Sequence, residues 1–327
     1  MIISKTPVRI SLGGGGTDLA SYYSKYGGFL VAAGIDKYIY ITINKMFEGG
    51  LQIKYSKTET VKRIDEIEHP TVKESLKLLK ISNDIEITSI ADIPSNSGLG
   101  TSSSFLVGLL RALHAYKRGH ISAYDVAEEA CKIEIDILKE PIGKQDQYMA
   151  SFGSLQSLSF NKKGNVTVKE LKMSRESKEL LQQNILLFYT GIKRSSSFVL
   201  KDQNNSLQDK KVDVVECMHE IKNIGLRSKK YLESGDISAF GETLDDHWKV
   251  KKKMSTKISN PFIDKCYKIG MKNGAKGGKI MGAGGGGFFM FYCENNKKNL
   301  RKALSKEGLK EMFYHFDSHG SKIIMDS

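Results

Sequence analysis

Residues 93–105, IPSNSGLGTSSSF, set two glycines two apart and follow them with four hydroxyl residues. The chain then runs straight into FLVGLLRALHAYKRG (105–119), whose apolar residues recur at helical spacing and which ends in a glycine. A helix this apolar is buried, so the loop ahead of it is held against a core. The first backbone N–H groups of a helix have no partners within it, and the dipole there favours negative charge. Gly98 and Gly100 let the backbone come close to a ligand. Thr101, Ser102, Ser103 and Ser104 add hydroxyls that can bond phosphate oxygens or ligate a metal. The stretch reads as a phosphate site; the plainer alternative is a capped helix after a Pro-Ser-Asn turn. No lysine follows, so this is not the lysine-bearing nucleotide loop. A GxGxxG string at Gly282–Gly287 precedes FFMFYC, a strand, where a dinucleotide site needs a helix. It reads as a tight loop between strands. The protein-kinase signatures are absent.

Strands and helices mix in both halves, which makes the fold class α+β. Strands are expected at 2–11, within 29–46, at 51–56 and at 84–91. A loop is expected at 13–17, and a helix from about Asp18, whose side chain could cap it. Helices are expected at 71–80, 105–119, 122–139 and 144–152, then strands at 154–160, 166–171 and 185–190. Charged helical segments at 196–234 and 236–253 precede a helix at 261–273. Strands return at 278–282, 287–293 and 322–325, with a helix at 296–307 between them. The change of texture places a boundary near 180–195, giving domains 1–185 and 186–327.

Composition narrows the partners. The longest apolar run, Phe288–Cys293, is far short of the roughly 20 residues that span a membrane. The start, MIISKTPVRI, does not read as a signal peptide. Four cysteines (Cys131, Cys217, Cys266, Cys293) lie far apart with no CxxC pair. They fit a reducing cytoplasm better than a disulfide framework or a structural zinc. The formal charge is +13. The lysines are spread along the chain, and KVKKK at 249–253 reads as solvated surface. Anionic small ligands with phosphate groups fit this balance better than nucleic acid does. His315 and His319 are four apart with no third ligand, so no metal role is read from the histidines.

Three segments stand in order: TPVRISLGGGGTD at 6–18, PSNSGLGTSSS at 94–104 and KIMGAGGGGFF at 279–289. Together they resemble the GHMP kinases, the family of galactokinase, homoserine kinase and mevalonate kinase, over nearly the whole chain. Within that family, RISLGGGGTD followed by YGGFLVAAGIDKYIYITI looks most like the D-glycero-D-manno-heptose 7-phosphate 1-kinases; L-fucose kinases share similar phrasing. The resemblance implies an N-terminal domain like the second domain of ribosomal protein S5 and a ferredoxin-like C-terminal domain. ATP and a sugar phosphate would bind between them, with Mg²⁺ as cofactor. Neither nucleic acid nor membrane is an expected partner, and the reading admits a homodimer.

The resemblance also implies roles. The loop residues Pro94, Ser97, Gly98, Leu99, Gly100, Thr101, Ser102, Ser103 and Ser104 would hold ATP, with Ser102 on Mg²⁺. Glu134 matches the second Mg²⁺ ligand, although it shares its helix with Glu128, Glu129 and Asp136 and could be one more surface acid. Asp146, in KQDQYMASFG, matches the catalytic base; its alternative is a helix cap. Arg9 matches a basic residue beside the base and the transferred phosphate, where it would stabilise transition-state charge. Its alternative is a strand-edge surface charge. Gly15, Gly16, Thr17 and Asp18 would hold sugar hydroxyls. Arg194, helped by Lys193 or Ser197, is read as the grip on a distal phosphate, or as a basic loop. The 282–287 loop, with Gly284 and Gly285, would pack on the phosphate loop and shape the site.

Overall fold

The computed structural model describes residues 1–192 and 212–327. Lys193, Arg194 and Ser197 therefore lie outside the described residues. Strand β1 (Ile2–Gly13) runs two residues past its expected end because it stays paired with β2 (Gly28–Lys45) until Gly13 meets Val31. At 18 residues, β2 outruns any single neighbour on its other edge. β3 (Leu51–Lys54) and β4 (Thr58–Val61) form a hairpin, so the strand expected over 51–56 ends at Lys54 and turns back. β5 (Ile85–Ala91) lies between β2 and β3, pairing with the second half of β2. The first half of β2 pairs with β6 (Leu155–Phe160), which pairs with β7 (Val166–Glu170).

The second sheet contains β8 (Ile185–Tyr189), β9 (Gly277–Ile280), β10 (Phe288–Tyr292) and β11 (Lys310–Met312). Its order, β11-β8-β10-β9, is antiparallel throughout and is the ferredoxin-like order. β11 was not expected, since three residues are too few to show alternation. The last strand, β12 (Lys322–Asp326), returns to pair with β1. The chain thus crosses back over a division at 185/186, and the first sheet is completed by its final residues.

The helices are α1 (Ala20–Tyr26), α2 (Pro70–Leu78), α3 (Thr101–Tyr116), α4 (Ala123–Cys131), α5 (Gln145–Phe152), α6 (Arg175–Asn184), α7 (Val212–Ser234), α8 (Ile237–Met254), α9 (Pro261–Lys272) and α10 (Lys297–Lys306). The helix expected over 122–139 stops at Cys131, and Lys132–Ile137 widen into a π-helical turn. α4, α6, α8 and α9 begin after Ser122, Ser174, Asp236 and Asn260, each accepting the backbone N–H three residues on. α3 differs: Gly100 precedes it at φ 78°, with no side-chain cap. A capped helix start was the plainer reading of this loop, and the structure departs from it. α3 lies on β1 and β2, where a Cβ on Gly108 would stand 2.7 Å from Thr6 Oγ1. α7 crosses the end of β1 as closely: a Cβ on Gly225 would stand 2.9 Å from the Gly14 Cα. These contacts bring the second half of the chain up to the glycine turn after β1.

Candidate active site

A cleft of about 290 Å³ opens between the two halves. One wall is the end of β1, the 94–104 loop expected to hold phosphate, the π-helical turn and the start of α5; the other is α8, the end of β9 and the loop that follows it. Arg9 on β1 is buried, and its guanidinium forks onto Asp146 at the start of α5, with Nε–Oδ1 2.7 Å and Nη2–Oδ2 2.8 Å. Its remaining nitrogen, Nη1, donates to the Gly98 carbonyl at 2.7 Å. One arginine therefore ties the phosphate loop to the carboxylate. Gly100 brings the backbone closer still, since a Cβ there would stand 3.2 Å from Asp146 Oδ2. A carboxylate has about four lone-pair sites. Arg9 takes two, and Asp146, which lines the cleft, accepts no other hydrogen bond from the described residues.

Glu134 is 3% exposed. It accepts from Ser103 Oγ at 2.8 Å, Ser102 Oγ at 3.2 Å and Gln147 Nε2 at 2.6 Å. Burial, with the charge of Asp146 adding to it, pushes its carboxyl up to about 7 against those three hydrogen bonds. The surface-acid reading of Glu134 is set aside, while Asp136 is exposed as that reading would have had it. A signal was present: Glu134 lies four residues after Ala130 and seven after Ala127, a helical spacing that continues the buried stripe of α4 into the next turn.

Asp18 does not cap α1. That position belongs to Leu19, and no side-chain cap is made. Asp18 is buried and joins two loops instead: Oδ1 accepts the Gly16 N–H and Oδ2 the Gln145 N–H, both at 3.0 Å. Burial raises its carboxyl above the usual range. Beside it, Ser11 Oγ and Gln145 Nε2 are buried, line the cleft and have no hydrogen-bond partner among the described residues. Polar atoms left bare in this way suit a ligand rich in hydroxyl groups. Gly15 keeps the space open, since a Cβ would stand 2.7 Å from Ser11 Oγ.

The 282–287 loop packs on the phosphate loop. A Cβ on Gly98 would stand 2.8 Å from the Met281 carbonyl oxygen, and the Phe288 N–H donates to the Ser97 carbonyl at 3.2 Å. From the same side come three basic residues that the sequence reading passed over. Lys251, within KVKKK, is not solvated surface; it lines the cleft and donates to the Gly282 carbonyl. Burial and the neighbouring Arg9 bring its ammonium down to about 8. Lys279 and His247 are buried beside it.

Comparison with known proteins gives the family. The GHMP kinases N-terminal domain matches residues 70–154, and the GHMP kinases C-terminal domain matches 228–310. A D-glycero-alpha-D-manno-heptose 7-phosphate kinase from Campylobacter jejuni is 32% identical over 98% of both chains. This chain belongs to the GHMP kinases. A crystal structure described as a D-glycero-D-manno-heptose 1-phosphate kinase from Bacteriodes thetaiotaomicron superposes on the kinase over the full length of both chains, with TM-score 0.83 and 27% identity. Lactococcus lactis galactokinase, solved with galactose, covers 98% of the kinase and 94% of its own chain at TM-score 0.78 and 16% identity, a likeness of fold alone.

In this kinase the cleft gathers Arg9, Gly15, Gly16, Asp18, Gly98, Gly100, Thr101, Ser102, Ser103, Glu134, Asp146 and Gly284. Other expected contacts fall outside it. Pro94 is exposed, Ser97 is buried, and Leu99 is buried with its carbonyl taking the Arg9 N–H. Ser104 gives its hydroxyl to the Pro7 carbonyl and its N–H to Gly100, so neither is left for a nucleotide. Thr17 is fully buried, with its hydroxyl on the backbone of Gly14 and Phe29. Gly285 donates to the Ile258 carbonyl instead of the cleft. These positions shape the loops from behind.

Among the described residues no group of three or more His, Cys, Asp or Glu gathers to hold a metal. Magnesium does not need one, since it is commonly held by one or two carboxylates with substrate phosphates and water. The Glu134 carboxylate with the adjoining Ser102 hydroxyl fits that habit, and a cation there would offset its buried charge. Glu134→Gln is expected to raise the Mg²⁺ concentration at half-maximal turnover by about tenfold or more. A Mg²⁺ titration of ADP release checks this, and an unchanged midpoint would remove Glu134 from the metal site.

Proposed function

We propose that the chain transfers the terminal phosphate of ATP, with Mg²⁺, to the anomeric C1 hydroxyl of D-glycero-D-manno-heptose 7-phosphate. The observation that carries the chemistry is the Asp146 carboxylate, forked by Arg9 between the phosphate loop and the pocket of bare polar atoms. The choice of sugar rests on the likeness to the Campylobacter heptose kinase. In this reading the N–H groups at the uncapped start of α3 bind the phosphates. Ser102 and Glu134 would hold Mg²⁺, which supplies charge neutralisation along the phosphates. Asp18, Ser11 and Gln145 orient the sugar. Asp146 takes the proton as the C1 oxygen bonds to phosphorus and the bond to ADP breaks. Arg9 holds that carboxylate in place and faces the charge that develops. The 1,7-bisphosphate formed would supply nucleotide-activated heptose for surface polysaccharide.

No helix among the described residues is long and apolar enough to cross a membrane. The four cysteines are free, three of them buried, which supports a cytoplasmic setting. A panel tests the acceptor: ADP release with Mg²⁺-ATP against heptose 7-phosphate, sedoheptulose 7-phosphate, mannose 6-phosphate, L-fucose and galactose. Turnover confined to aldose phosphates is expected. Turnover on L-fucose alone would replace the acceptor and keep the kinase. A non-catalytic sensor of sugar and ATP would turn over none of them.

A further inference from the structure

His247 and Lys251 stand one turn apart on α8, Lys279 lies on β9, and all three line the cleft together with Arg9. His247 and Lys279 are each 2% exposed. Among the described residues, neither ring nitrogen of His247 has a hydrogen-bond partner, and the Lys279 ammonium makes no hydrogen bond or ion pair. The Lys251 ammonium donates, among the described residues, only to the Gly282 carbonyl. No described carboxylate pairs with either lysine: Asp146 is committed to Arg9, and Glu134 to Ser102, Ser103 and Gln147. A buried cation without a counter-charge is costly, and neighbouring cations raise the cost. The crowding registers in the groups themselves. Burial, then the charges of Lys251 and Arg9, push Lys279 well below the usual ammonium range. Burial, then Lys279 and Lys251, do the same to His247. An anion in the cleft would relieve all of these at once.

We propose that His247, Lys251 and Lys279 form a phosphate-binding pocket supplied by the second half of the chain, in place of the lysine that the 98–104 loop lacks. The proposal rests on the cleft being the site of phosphoryl transfer. The ligand is a phosphate dianion, and the reaction offers two: the terminal phosphate of ATP and the distal phosphate of the sugar. Position favours the first. Lys251 is bonded to Gly282, a Cβ on Gly282 would stand 2.8 Å from the Gly98 Cα, and the Gly98 carbonyl takes Arg9. That seam lies where the phosphate loop meets the Arg9–Asp146 pair, and so where a phosphate must pass between donor and acceptor.

The test is calorimetric binding of Mg²⁺-ADP, of the β,γ-imido analogue of ATP with Mg²⁺, and of heptose 7-phosphate to the wild type and to Lys251→Met and Lys279→Met. Both variants are expected to bind ADP normally and the imido analogue about tenfold or more weakly. Without ligand they should melt no lower than the wild type, since an apolar chain of similar length replaces an unpaired buried charge. Weakened heptose 7-phosphate with unchanged imido analogue would uphold the pocket and assign it to the distal phosphate. Unchanged affinity for all three ligands would overturn it. So would variants that melt early while His247→Gln binds every ligand normally, because the cluster would then be packing. The nucleotide arm needs no sugar, so a wrong acceptor would show as missing heptose binding with that arm intact.

Discussion

Asp146→Asn is expected to lower kcat by about 10³-fold while the protein still folds and binds nucleotide. The amide is nearly the same shape as the carboxylate, so α5 and the wall of the cleft stay as they are. Its oxygen can still accept from Arg9, but its NH2 group then faces the second guanidinium donor, and the fork is reduced to one bond. More important, an amide cannot take the proton of an attacking hydroxyl. Steady-state ADP release with heptose 7-phosphate, beside a melting curve, separates the two effects. A kcat within threefold of the wild type would mean that Asp146 only positions the sugar and that the proton leaves by another route.

Gly98→Ala is expected to destabilise the fold by about 2–4 kcal/mol and to lower kcat/KM for ATP by about 10²-fold. Two costs add. Gly98 sits at φ +82°, where an L residue is strained. Its new methyl would also stand 2.8 Å from the Met281 carbonyl oxygen and 3.2 Å from the Met281 carbonyl carbon. Both are backbone atoms, so no side chain can swing aside, and the two loops must part. The Gly98 carbonyl would then shift away from Arg9, and the phosphate loop from Asp146. Gly308→Ala separates the terms: its φ is +83°, with nothing within 4 Å of the added Cβ. That variant should lose only the backbone term and keep its activity. Equal losses in both variants would mean that the seam between the loops does not matter.

The loop before α3 was legible as a glycine turn leading into a buried helix because its features are local. Two glycines, a row of hydroxyls and an apolar helix lie within one short stretch, and none of them needs a distant partner to be recognised. The order of the second sheet was also within reach through the family resemblance, but β11 and β4 were missed as short strands with too little alternation. Asp18 misled because a residue just ahead of a helix is a natural cap, whereas tertiary contact turned its carboxylate to Gln145. Lys251 misled more seriously. In KVKKK, four lysines look alike, and only the packing of α8 against β9 singles out the one that enters the cleft.

By itself, the sequence determined most of the elements and part of their local equipment: which stretches alternate and which turns demand glycine. These follow from neighbours a few residues apart, which is the range over which backbone sterics and periodicity act. What the tertiary structure alone decided are the pairings. Arg9 meets Asp146 across 137 residues, Ser103 meets Glu134 across 31, and β12 reaches back from the end of the chain to β1. Charge and burial at the site depend on those meetings, because an isolated lysine or glutamate in a chain carries no sign of the dielectric it will fold into.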